Sequence, residues 1–285
     1  MMGRTHTLSG AGSWLTLSAA ATWLSNQGLP VHAANPTQIV LGTLVAAGYA
    51  LLPDIDHPRS TIANALGPVT RAMAWVIGHL ATGLRQGSCA HCARDGRGGH
   101  RAITHTVAFA AAITIALGVL LGAVGQPAAL AVIGVGVWLA SMSALSAGTR
   151  ARIGDAVLPG RVRTLGRTGQ RISAGVASLG IAGIAVLAVW ALARPEDNWA
   201  WLALAVGVGV LSHSLGDAMT RSGAPLWWPV RIGKCRWAQV GTPRWARFTT
   251  GKAGELVVAV AIFVMSVAST AYLLLPYMPG EGGGA

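Results

Sequence analysis

Seven stretches of this chain are apolar over about twenty residues, the length that an α-helix needs to cross a bilayer. The sequence predicts spans at roughly 8–24, 36–52, 102–123, 127–148, 174–193, 199–219 and 255–276. The segment 62–84 is also apolar but contains Arg71 and His79, so we expect an interfacial or re-entrant helix there. Only 11% of the residues are charged, against about 25% in soluble domains. The predicted fold class is therefore all-α: a polytopic helical membrane protein in which residues 1–285 form a single integral membrane domain.

The basic residues predict how these spans are oriented. They are concentrated before the third span and in the segments 150–171 and 221–252. If all three regions are cytoplasmic, every Lys and Arg except Arg194 lies on that side, as the positive-inside rule requires. This explains the net charge of +12 without nucleic acid as a partner. The N-terminus is then cytoplasmic and the C-terminus external, unless a secretory signal is cleaved near Ala33 and His6 is lost with it.

Acidic residues and histidines are scarce, and most of them fall at the predicted cytoplasmic ends of the spans. The chain has nine acids and eight histidines. Ionisable groups at the edge of a membrane are costly and usually mark function, and helices that end at one depth can build one site. The residues placed there are His6, Asp54, Asp56, His57, His100, His105, His213, Asp217 and Glu255.

The residue types at these positions suit a divalent metal ion. His213 and Asp217 are four apart in a helical segment and share a face, either as ligands or as a hydrogen-bonded pair. Asp54 and Asp56 lie between two prolines, where a regular helix cannot continue, and such close acids repel unless a cation separates them. The alternative for these acids is a solvated helix end. Imidazole with carboxylate favours zinc, and manganese is also possible.

Two further segments carry candidate residues around the same site. We expect Thr104 to be the N-cap of the third span, with His105 in its first turn. Arg101 then lies near any bound anion, unless it is only one more cytoplasmic charge. Glu255 begins the last span, where an acid either interacts with the helix dipole or acts as a general base.

The remaining motifs predict packing rather than chemistry. Gly118 and Gly122 form a small-xxx-small pair that permits close helix contact. Cys89 and Cys92 have the spacing of half a zinc site, but Cys235 is distant in sequence. We therefore expect the cysteines to be incidental.

In combination, the motifs resemble a family of membrane-bound metal-dependent hydrolases, whose bacterial members include one controlled by the SOS repressor. The resemblance rests on LPDIDHP at 52–58, HRxxTH at 100–105 and SHxxxDxxTxxGxPLxWP at 212–229, with His6 and Glu255 in keeping. It covers roughly 1–110 and 205–265. Within a family-like core of 1–124 and 199–276, the segment 125–198 is a two-helix insertion with a basic loop.

The resemblance implies an inner-membrane location and a distant similarity to zinc-dependent phospholipase C and single-strand-specific nucleases. The implied activity is hydrolysis of a phosphoester, with a phospholipid or lipid phosphate from the bilayer as substrate. The metal ligands would be His6, Asp54, Asp56, His57, His100, His105, His213 and Asp217, and the catalytic residues Asp56, Arg101 and Glu255. The alternatives are a metal or proton transporter, and a non-catalytic membrane factor that uses the metal structurally or binds DNA through its basic loops.

Overall fold

The computed structural model describes residues 1–64, 68–93, 99–157, 166–194 and 198–277, and these residues form helices and turns without a β-strand. The predicted all-α fold is confirmed. The helices are α1 (Gly3–Asn26), α2 (Pro36–Tyr49), α3 (Pro68–Ser88), α4 (Ala90–Ala93), α5 (Val107–Val124), α6 (Gln126–Ala144), α7 (Ala147–Val157), α8 (Gly166–Leu192), α9 (Trp201–Ala218) and α10 (Ala253–Leu274). Short 3-10 turns lie at Leu52–Asp56, Ile62–Asn64, Ile103–His105, Arg244–Ala246 and Leu275–Tyr277.

Six helical segments of the described chain are long and apolar enough to cross a membrane, where the sequence predicted about seven. The difference is α1, which has 24 residues and is long enough at about 36 Å but is too polar. Its Thr5, Thr7, Ser9 and Ser18 are buried against other helices, so α1 is polar without exposing those groups. The six segments are Pro36–Asp56, Val107–Val124, Gln126–Ala144, Ile172–Leu192, Trp201–Ala218 and Ala253–Tyr277.

The bundle is built around α1 and α2, which pack against each other and against α6 and α9, while α10 packs on α1. Glycines allow the closest approach: a Cβ on Gly48 of α2 would collide with the carbonyl of Gly136 on α6. The predicted small-xxx-small pair on α5 is not such a contact. A Cβ added to Gly118 would lie 3.8 Å from the Cβ of Ala203, and one added to Gly122 would meet no other described residue within 4 Å.

The segment 125–198 contains α6 and α8, the two predicted helices, with α7 between them. Residues 158–165, in the predicted basic loop, lie outside the described part of the chain. The helix predicted near 62–84 forms as α3, and it packs against the turns Leu52–Asp56, Ile62–Asn64 and Ile103–His105. These turns follow α2 and precede α5, so α3 lies beside the ends of two spans.

The start of α5 differs from the prediction. Its N-cap is Thr106, whose hydroxyl accepts a hydrogen bond of 3.0 Å from the backbone N–H of Phe109. Thr104 lies two residues before the N-cap, in the 3-10 turn Ile103–His105, and is buried. Its hydroxyl is therefore available to other side chains, and this matters for the site.

Candidate metal centre

Four of the predicted ligands converge where α2, α5 and α9 meet. Asp54 comes from the turn that ends the α2 span, His105 from the turn that precedes α5, and His213 and Asp217 from successive turns of α9. His105, His213 and Asp217 are almost completely buried, whereas the Asp54 side chain is 22% exposed. The convergence predicted from the sequence is thus present for these four residues.

The distances from the two imidazoles to each other and to the two carboxylates are close to those between ligands of one ion, and His105, His213 and Asp217 form one group of candidate ligands. His105 Nε2 lies 3.2 Å from His213 Nε2, 3.7 Å from Asp54 Oδ1 and 3.5 Å from Asp217 Oδ2. His213 Nε2 lies 3.6 Å from Asp54 Oδ1 and 3.8 Å from Asp217 Oδ2. Tetrahedral zinc with bonds of 2.0–2.2 Å requires ligand separations of about 3.3–3.6 Å. The donors therefore fit zinc or a similar ion.

Hydrogen bonds fix the ring nitrogens that face one another. His213 Nδ1 donates to the carbonyl oxygen of Ala50 at 2.6 Å, and a carbonyl can only accept. His105 Nδ1 donates to the Thr104 hydroxyl at 3.0 Å, because that hydroxyl itself donates to Asp56 Oδ2 at 2.8 Å. In the neutral rings both Nε2 atoms then present lone pairs to each other. Two such lone pairs repel each other, so the pair is stabilised by a proton on one ring or by a metal ion between or beside the two nitrogens.

Asp56 lies behind this cluster and holds two histidines in place. Its Oδ2 accepts from Thr104, and its Oδ1 accepts from His100 Nδ1 at 3.0 Å. The carboxylate is buried, with both oxygens occupied. Asp56 was predicted as a ligand and as a base, but the structure does not bring it into any of the three groups of candidate ligands. His100 does belong to one, with Asp54 and His105.

His6 packs against His213 and Asp217 of the cluster. Its ring stacks on His213 with centroids 3.6 Å apart, and its Nε2 lies 3.4 Å from Asp217 Oδ1. Neither ring nitrogen makes a hydrogen bond within the described residues. The α-amino group of Met1 also reaches Asp217 Oδ1, at 2.6 Å. His6 therefore completes a third group, with Asp54 and His213, as the sequence predicted for an early histidine.

Arg101 contacts the cluster through Asp217. Its Nε lies 2.7 Å from Asp217 Oδ2, and its Nη1 donates to Thr220 Oγ1 at 3.1 Å and to the Gly223 carbonyl at 3.4 Å. The residue has a positive φ of 58°, which few non-glycine residues adopt. The backbone thus turns this guanidinium inward to an acid of the site.

A polar cavity of about 260 Å³ adjoins the cluster. Asp54 and Arg101 form part of its wall, and Arg59 adds a second guanidinium that our sequence reasoning missed. The sequence feature that could have identified Arg59 is its position directly after the LPDIDHP motif. The other lining residues include His57, Ser60, Thr61, His100 and Asp217.

His57 lies in the cavity wall, and its Nδ1 accepts a hydrogen bond, whereas the Nδ1 atoms of His105 and His213 donate. Its Nδ1 accepts from the backbone N–H of Arg59 at 3.3 Å, so the neutral ring carries its proton on Nε2. Partial burial, and next the neighbouring His100 ring, lower the pKa of His57 below its usual value. His57 was predicted as a ligand, but in this tautomer it offers a donor to the cavity, and it belongs to none of the three ligand groups.

Glu255 is buried away from these groups. Its Oε1 accepts from the backbone N–H of Met2 at 2.6 Å, and its Oε2 from that of Gly251 at 2.7 Å. The carboxylate therefore ties the start of α10 to the start of the chain. The structure does not bring this predicted base to the cluster.

The cysteines are closer together than the sequence implied. Cys89 Sγ lies 3.9 Å from Cys235 Sγ, although the residues are 146 apart in sequence. The side chain of Cys92 lies outside the described part of the chain.

A family model matches the chain over residues 1–149 and 177–277, which is most of its length. The chain belongs to the YdjM inner membrane protein family. Neither the curated proteins nor the solved structures contain a match.

Membership of the YdjM family places this multi-pass protein in the inner membrane. The match includes every candidate ligand named above and leaves out 150–176, where many of the arginines of the basic loop lie. The expected similarity to phospholipase C and nucleases finds no support in these comparisons and stays a prediction.

Proposed function

We propose that this protein is a metal-dependent hydrolase that cleaves a phosphoester, from a phospholipid or a lipid-linked phosphate, at the cytoplasmic face of the inner membrane. The observation that carries the proposal is the pair of Nε2 atoms of His105 and His213, 3.2 Å apart, with both Nδ1 atoms committed to other partners. Two carboxylates flank this pair, and a polar cavity adjoins it.

His105, His213, Asp217 and Asp54 are the proposed ligands of the ion, zinc by preference and manganese as an alternative. Asp56 positions the imidazoles of His100 and, through Thr104, His105, as carboxylates behind metal-bound histidines do. When bound, the ion would lower the pKa of a water molecule and stabilise charge on a phosphoryl oxygen.

The arginines of the cavity support an anionic substrate. Arg101 pairs with Asp217 and lines the cavity, and Arg59, three residues after the turn that carries Asp54, lines it too. A guanidinium can hold two phosphate oxygens at once, and it cannot lose its charge near neutral pH. In this proposal the two side chains orient the phosphate, while His57 donates a further hydrogen bond from Nε2.

A structural metal site is the second candidate, and one observation favours it. Asp54 lies within 3.7 Å of the Nε2 atoms of both His105 and His213, so it can close the group formed by these histidines and Asp217, as in structural zinc sites, whereas catalytic zinc keeps an open position. Asp54 decides between the two, because it is the exposed member of the set and lines the cavity. If water or substrate can replace Asp54 as a ligand of the ion, the site is catalytic.

The test combines metal analysis with an assay on lipid phosphoesters. Purified wild-type protein should contain close to one equivalent or more of zinc or manganese per chain. His213→Ala and Asp217→Asn should each lower that content at least ten-fold while the protein still inserts into the membrane. Arg101→Ala should keep the metal and lose most of the activity.

Asp155→Asn is the matched control for Asp217→Asn, since Asp155 lies on α7 and accepts a hydrogen bond from Ser173. It should leave metal content and activity unchanged. Metal-loaded wild-type protein without hydrolytic activity would favour the structural site. Wild-type protein that binds neither ion would overturn both candidates.

A further inference from the structure

One face of α3 exposes apolar side chains on successive turns. Val69, Met73, Val76, Leu80 and Leu84 are 61%, 48%, 46%, 68% and 41% exposed. Their spacing of four, three, four and four residues places them along one stripe of the helix. No part of the described chain covers this stripe.

A neighbouring face of α3 is packed against the segments that carry the metal centre. Ala74 and Ala81 are buried there, and Gly78 is so close to the Asp56 carbonyl that a Cβ would lie 3.2 Å from that oxygen. The turn Leu52–Asp56 is also the end of a span. Hence α3 lies beside the point where the chain leaves the hydrocarbon, and a helix there with an exposed apolar stripe suits the boundary between acyl chains and headgroups.

The segment 221–252 forms a second exposed surface, which is basic where the stripe of α3 is apolar. It contains seven basic residues and no acid. Trp227, Val230 and Trp245 are 54%, 61% and 88% exposed within it. Exposed tryptophan among Lys and Arg is typical of chains that rest on lipid headgroups, and anionic headgroups attract such basic clusters.

The two surfaces are joined. Trp237 of the segment donates from Nε1 to Ser88 Oγ at the end of α3, at 2.9 Å. The Trp237 ring is buried and stacks on Trp228 at a centroid distance of 4.9 Å. The stripe of α3 and the segment 221–252 therefore form one surface, which we call the lipid rim.

We propose that the lipid rim binds anionic phospholipids of the leaflet at which the cavity opens. The stripe of α3 lies among the upper acyl chains, and the basic residues of 221–252 contact phosphate groups. This binding does not depend on hydrolysis, so it stands or falls independently of the function proposed above.

Photo-crosslinking in a reconstituted bilayer tests this surface. The full chain is placed in nanodiscs of phosphatidylcholine and phosphatidylglycerol, each carrying a diazirine near the headgroup in turn, and adducts are mapped by mass spectrometry. We expect the phosphatidylglycerol-to-phosphatidylcholine adduct ratio to be several-fold higher on 68–88 and 221–252 than on the lipid-exposed α10. Equal ratios, or adducts on α10 without any on α3, would overturn the proposal. Crosslinks from the rim to a second copy of the chain would do the same.

Two pairs of variants test whether the charges and the apolar stripe of the rim are responsible for the lipid binding. Lys234→Gln with Arg236→Gln should lower the anionic preference of 221–252, by about five-fold for each charge removed. Arg150→Gln with Arg152→Gln removes the same charge outside the rim and should leave the preference unchanged. Leu80→Glu should abolish adducts on α3, whereas Gln86→Glu, on its polar face, should retain them. If both members of either pair behave alike, the rim is not the binding surface.

Discussion

Thr104 links the two halves of the candidate metal centre through a single hydroxyl. It accepts from His105 Nδ1 and donates to Asp56 Oδ2, and both partners are buried. Thr104→Val removes the hydroxyl at constant shape, so the His105 ring loses its fixed orientation. We expect metal affinity to fall about 10–100-fold, measured by competition with a chelator of known affinity.

Thr104→Ser should restore most of that affinity, because it keeps the hydroxyl. Thr106→Val is the matched control: it removes the N-cap of α5, at a cost of about 0.5–2 kcal/mol in stability, without touching His105. An unchanged affinity in Thr104→Val would show that the histidine is oriented by other contacts.

At the scale of single residues, the sequence identified the side chains that converge better than it identified the groups that hold them in place. Asp54, His105, His213 and Asp217 are rare residue types in an apolar chain, and their positions at span ends indicated a shared site. Asp56 was also identified, but as a ligand and a base, and no sequence signal indicates that it supports His100 and Thr104 instead. The partner of His213 is the backbone carbonyl of Ala50, which any residue could supply.

Helix contacts in this protein depend on which face each glycine presents. Gly48 on α2 faces the backbone of Gly136, whereas a Cβ added to Gly122 on α5 would meet no other residue of the described chain within 4 Å. Gly48→Ala should therefore force α2 and α6 apart and cost about 1–3 kcal/mol. Gly122→Ala adds the same methyl group to a span and should change stability by less than about 0.5 kcal/mol.

Thermal unfolding of the two variants in the same detergent measures the difference. Equal midpoints would mean that the α2–α6 crossing is looser than described. The sequence motif pointed to Gly118 and Gly122 because spacing reveals that two glycines share a face. It does not reveal whether that face meets a helix or lipid.

At the scale of the whole molecule, the positions of the charges predict orientation. A reporter fused after Arg236 should be cytoplasmic and one fused after Tyr277 external, because all Lys and Arg except Arg194 then lie inside. Paired alkaline phosphatase and fluorescent-protein fusions provide the measurement. Cytoplasmic reporters at both positions would mean that α10, the span between them, does not cross the membrane, and would contradict the predicted orientation.

The fold class and five of the predicted spans followed from apolar length alone, and α2 with the turn after it forms the sixth. The span that apolar length predicts least well is α1, because four of its serines and threonines are buried against neighbours that no sequence pattern identifies. The cavity could not be predicted from the sequence either. Arg59 lines it, but in the sequence this residue is only one more basic residue beside a proline.

The hydrogen bond between Ala50 and His213 joins residues 163 positions apart, and this bears on how the protein is made. At about 5–20 residues per second, a ribosome adds that length in roughly 10–30 s. During that interval Asp54 is already in the membrane while His213 and Asp217 have not been synthesised. The proposed set of four ligands is therefore complete only after α9 has been inserted, so an ion bound as proposed would be loaded late in the biogenesis of this protein.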